Sequence, residues 1–172
     1  MRKVIAGVLA AVLLWPVAST ASPIVAGRYV PDAGKVGDGV LTYLFWDVYR
    51  ATLYAPASQW RPDRPFALSL RYMRELKGRD IADRTIEEIR KQGFSDEAKL
   101  TEWSALLSAL FPDVADGDSL TAVRDAEGRT LFYRDAQRIG MIDDPGFAPR
   151  FFGIWLDENT SEPKLRRKLF GG

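Results

Sequence analysis

The chain of 172 residues contains neither cysteine nor histidine. Without cysteine there is no disulfide, so an exported protein of this sequence must be held by its core alone. Without histidine as well, the Ser-His and Cys-His nucleophilic pairs, the usual zinc ligand sets and the side chain best suited to proton transfer near neutral pH are excluded. An excess of either charge is lacking too, with 24 Lys and Arg against 23 Asp and Glu. Such a balance offers nucleic acid or an anionic membrane no bulk attraction. No apolar run reaches the roughly 20 residues of a bilayer-spanning helix.

What is present starts with an export signal. Met1-Arg2-Lys3 precedes an apolar run from Val4 to Trp15, and Pro16-Val17-Ala18-Ser19-Thr20-Ala21-Ser22 follows. A basic n-region, an h-region of about a dozen residues and small residues at Ser19 and Ala21 describe a secretory signal peptide. Cleavage after Ala21 is expected, leaving residues 22–172 as a single domain in the periplasm with no stable membrane anchor. No Cys follows the small residues, so no lipoprotein anchor forms there. Loss of Arg2 and Lys3 leaves 22 basic against 23 acidic residues, a net charge of −1.

The run from Phe45 to Pro56 has no Gly, a single closing Pro, and the β-branched and aromatic content of a long central strand continuing from Val40. Each of its faces carries one ionisable side chain, Asp47 or Arg50, that needs a partner, water or a ligand. Phe66 to Arg74 alternates cleanly, with Phe66, Leu68, Leu70 and Tyr72 on one face and Arg74 at its end. Ser22 to Gly39 is rich in Gly and Pro, with a short strand expected at Ile24–Tyr29 and a turn at Val30–Gly34. Helices are expected over Asp80–Gln92, closed by Gly93, and from Ser95 as N-cap to Leu110. The acid-bearing turn 111–118 lacks the oxygen spacing of a calcium loop, and no metal site is expected. Strands 119–124 and 130–135 with a third over 136–142 form an antiparallel meander. A very apolar short helix from Asp144-Pro145 through Trp155 and a basic amphipathic helix over 161–169 complete the chain.

This succession resembles the chalcone isomerase-like family, and in particular its exported bacterial branch. The matching motifs are Val48-Tyr49-Arg50-Ala51-Thr52-Leu53-Tyr54, the strand Leu68 to Arg74 leading into Leu76, Phe111-Pro112 with Gly117-Asp118, and Phe152-Gly153-Ile154-Trp155-Leu156 followed by Pro163-Lys164-Leu165. The resemblance covers about residues 24 to 170. It implies an α+β open-faced sandwich, an antiparallel sheet with a helical layer on one face and a ligand cleft between them. In the plant enzymes that cleft closes a flavanone ring by intramolecular addition of a phenolate, whereas a non-catalytic plant branch holds fatty acids. In both, an arginine shortly before the central strand holds the anionic part of the ligand, helped by a hydroxyl residue. Aligning those motifs puts Thr42 at the arginine and Leu44 at the hydroxyl position, and Phe151–Trp155 where the enzymes place a threonine. The plant catalytic set is therefore not matched and no catalytic residue is assigned.

The expected function is periplasmic, non-catalytic binding of a small apolar or amphipathic ligand such as a fatty acid, with no cofactor and no nucleic-acid partner. The ligand-binding candidates are Trp46, Tyr49, Arg50, Tyr72, Arg74, Trp103 and Trp155: cations for a carboxylate, hydroxyl donors and apolar walls. Tyr43 is a further hydroxyl candidate. Two alternatives are an isomerase or lyase in which a tyrosine and an arginine converge on an enolisable or phenolic substrate, and an envelope interaction module using the Trp60 loop or the basic C-terminal helix.

Overall fold

The computed structural model describes residues 21–172; apart from Ala21, the expected signal peptide lies outside the described residues. Six strands, β1 (Ala33–Tyr43), β2 (Trp46–Pro56), β3 (Phe66–Tyr72), β4 (Ser119–Arg124), β5 (Thr130–Arg134) and β6 (Gln137–Ile142), form one sheet in the order β1-β2-β3-β4-β5-β6. Every neighbouring pair is antiparallel. Five helices, α1 (Ala21–Tyr29), α2 (Gly78–Lys91), α3 (Glu97–Leu110), α4 (Phe147–Leu156) and α5 (Pro163–Leu169), accompany it. The open-faced α+β sandwich expected from the sequence is the architecture observed.

The Gly- and Pro-rich opening departs from its sequence reading. Ile24–Tyr29 is helical rather than extended. Ser22, Val25, Ala26 and Tyr29 recur at helical spacing, and that face meets the side of the sheet opposite the other helices. Val25, Ala26 and Val30 pack there with Ala67, Val123, Leu131 and Tyr133. The Ser22 hydroxyl bonds that of Ser69 at 2.6 Å, and the Tyr29 hydroxyl bonds that of Tyr133. Ile24, whose β-branch suggested a strand, is 51% exposed.

Ala33 to Gly39 is strand, not loop. Its glycines serve packing: α5 lies so close to β1 that a Cβ on Gly37 would run into the backbone carbonyls of Lys168 and Leu169. The single strand expected through Val40–Tyr54 is instead a hairpin. Tyr43 pairs with Trp46, and Leu44 and Phe45 form the two-residue turn with φ of 46° and 76°. Asn and Gly usually mark such a turn, and neither is present.

The helical layer follows the sequence more closely. Gly93, at φ 88°, ends α2, while the N-cap of α3 is Asp96, one residue after the expected Ser95, and accepts from the Lys99 amide at 3.0 Å. Asp113 in the acid-bearing turn accepts the Gly78 amide at 2.9 Å and so caps α2. Trp60 is half-buried with its ring edge-on to Phe66 and Phe170, which withdraws it as an exposed contact.

Candidate functional site

A cavity of about 380 Å³ lies between the sheet and the helical layer, within the roughly 300–1,000 Å³ usual for small-molecule sites. Alternation along β2, β3 and β4 aims Tyr49, Leu68, Leu70, Tyr72, Leu120 and Ala122 into it. The inward face of α2 adds Ile81, Thr85 and Glu88, and α4 adds Phe151, Ile154 and Trp155. Around this apolar interior stand exposed Tyr43, Arg74, Asp80 and Arg84 and half-buried Glu162. A second hollow of about 410 Å³, between the Trp60 loop and α4, has Arg124, Asp157, Glu158 and Arg166 in its walls, and none of the seven candidate residues lines it.

Four of the seven share the first cavity: Tyr49, Tyr72, Arg74 and Trp155. The other three lie elsewhere. Arg50 ion-pairs with Asp38 at 2.6 Å. Trp46 sits at the exposed end of the β1–β2 hairpin, with the Arg74 guanidinium 6.0 Å from its ring. Trp103 is core: its indole donates to Asp144 at 3.0 Å, stacks on Phe94 and meets Phe147 edge-on. Sequence reasoning missed Glu88 and Glu162, although Glu88 falls seven residues after Ile81 on the inward stripe of α2, where its position was readable.

The polar groups inside the cavity are specialised by their neighbours. The Trp155 indole donates to the Tyr49 hydroxyl at 2.9 Å, and the Tyr49 and Tyr72 rings meet edge-on at 5.9 Å. Burial pushes both phenols far above the ordinary tyrosine value, so each stays a neutral hydrogen-bonding group and is a poor base. The Tyr72 hydroxyl has no protein partner among the described residues. Arg84 is committed to Glu88 at 2.6 Å. Arg74 has no carboxylate partner among the described residues, only the Trp46 ring. The cavity therefore offers apolar walls, an unpartnered phenol and one uncommitted cation at its mouth.

Glu88 is buried yet charged. Burial raises its pKa, but the Ser161 hydroxyl, the Lys91 ammonium and the Arg84 guanidinium together outweigh that and hold it below its ordinary 4.5. A carboxylate lowered on folding adds stability above its unfolded pKa and loses it as pH falls through the folded value. Glu162 runs the other way, raised chiefly by burial and then by the charge of Glu88. Urea unfolding should show stability falling between roughly pH 5 and 3, with a smaller fall in Glu88→Gln. An equal fall in that variant would show that Glu88 is not the linked group.

Known proteins share this fold. The chalcone isomerase-like family model matches residues 36–171. An uncharacterized protein of Haemophilus influenzae is 27% identical over 137 residues, which is 79% of this chain and 67% of that protein. Among solved structures, a fatty-acid binding protein of Arabidopsis thaliana superposes with a TM-score of 0.63 at 11% identity, over 81% of this chain and 87% of that one. With its six-stranded meander, its covering helices and a family match over most of its length, the chain belongs to the chalcone isomerase-like family.

Proposed function

We propose that this is an exported, periplasmic, non-catalytic binder of a small amphipathic acid such as a fatty acid. Its apolar body lies between sheet and helices and its carboxylate meets Arg74. The observation that carries the reading is an apolar cavity whose one uncommitted cation among the described residues stands at the mouth. The name of the Arabidopsis neighbour, a fatty-acid binding protein, supports the same ligand class. The raised phenols stay protonated near neutral pH, so each offers a ligand a hydrogen bond and neither serves as a base. The N-terminal signal pattern supports export.

Titration of the mature protein with a fluorescent long-chain fatty acid tests the anion contact. Arg74→Gln should weaken binding by about 3- to 10-fold, an effect that shrinks at high salt because the guanidinium is exposed. The methyl ester should lose as much on wild-type protein and bind both proteins alike. Equal affinity of acid and ester for the wild type would refute the role of Arg74.

A further inference from the structure

The β1–β2 hairpin ends in four consecutive aromatic or aliphatic residues that are largely exposed. Tyr43, Leu44, Phe45 and Trp46 are 60%, 67%, 99% and 67% exposed. A soluble surface tolerates scattered apolar side chains, but a contiguous exposed set marks a contact surface. The backbone deepens the anomaly: Leu44 and Phe45 both hold positive φ, where a branched or bulky side chain is strained and Asn-Gly would be relaxed. Residues costly to the fold and unsupported by packing point to something outside the chain.

The surroundings identify what that is. Arg74 lies against the Trp46 ring and has no carboxylate partner among the described residues, while Asp47 beside the tip is held by the Thr42 hydroxyl at 2.7 Å. Aromatic rings and a Leu at a protruding tip, with a guanidinium free of any carboxylate against one of them, match the interface of a bilayer, where Trp and Tyr sit at headgroup depth and an arginine reaches lipid phosphate. The tip is also continuous with the cavity, because Tyr43 belongs to both and Arg74 stands at the cavity mouth. We infer that the Leu44-Phe45 tip docks on the surface of an anionic lipid bilayer and sets the cavity mouth against the acyl chains. The docking stands on the hairpin alone, whereas ligand exchange with the bilayer rests on the binding reading above.

The test uses the double variant Leu44→Asn/Phe45→Gly, which supplies the residues the turn geometry favours and touches no cavity-lining position. It should melt no lower than wild type and bind a fluorescent fatty acid equally well in solution. Its co-sedimentation with vesicles of equal parts phosphatidylcholine and phosphatidylglycerol should fall by about tenfold or more. Fatty acid transfer from those vesicles to the protein should slow with it. Vesicle binding by wild type with no fatty acid uptake would retain the docking and remove the exchange role. Wild type that does not sediment, or a variant that sediments as well, overturns the docking. A concentration-dependent dimer abolished by the variant, without vesicle binding, would assign the tip to contact between copies instead and equally overturn it.

Discussion

Ala122→Trp is expected to abolish ligand binding while the protein stays folded. Ala122 lies on β4 between Leu68 of β3 and Phe132 of β5, and all three line the cavity. An indole there projects into the space that the ligand body would occupy. Extra bulk in a filled core commonly costs about 1–3 kcal/mol, but here a cavity of about 380 Å³ receives it. Affinity for a fatty acid should drop at least about 30-fold, roughly 2 kcal/mol, with little change in melting temperature. Leu70→Trp, nearer the surface, should weaken binding in the same direction and serves if the first substitution disturbs the sheet. Unchanged affinity in both folded variants would place the ligand elsewhere.

Trp103→Ala should do the reverse. The side chain is 1% exposed. It is wedged between Phe94 and Phe147, and its indole nitrogen bonds Asp144. Truncating a buried Trp to Ala costs about 3–5 kcal/mol, and for a domain of this size melting should fall by roughly 6–20 °C. Asp144 keeps Lys99 and the Gly146 amide, so the loss is mainly packing rather than a stranded charge. Below the transition, the folded fraction should bind ligand within about twofold of wild type. A large loss of affinity with a small change in stability would restore Trp103 to the ligand wall.

These opposite outcomes for two residues of the same core show what the sequence could and could not convey. Alternation along Phe66–Tyr72 and the stripes on α2 and α3 reflect burial, and burial is written in residue type, so β3, the meander after it and helices α2 to α5 were legible, whereas α1 and the β1–β2 hairpin were not. Tyr49, Tyr72 and Trp155 met on one cavity because strand parity and the apolar segment both point inward. Trp46 and Trp103 are chemically alike, yet one ends on an exposed hairpin and the other in the core. That difference depends on the turn at Leu44-Phe45, which lacks the Asn or Gly that would announce it. Likewise Arg50 and Arg74 differ only in which carboxylates fold next to them: Asp38 lies two positions from Val40, the residue paired with Arg50 across the hairpin, a neighbour fixed by register. Gly37 and Gly39 of β1 read as loop because their reason, the close passage of α5, is tertiary.

The measurement that bears most directly on the binding role is native mass spectrometry of mature protein purified without detergent, before and after solvent extraction. Wild type should appear as a species heavier than the chain by the mass of one aliphatic acid, recoverable in the extract, and Ala122→Trp should appear bare. Wild type that is bare and remains so after incubation with fatty acids of increasing chain length, indistinguishable from Ala122→Trp, would contradict that role.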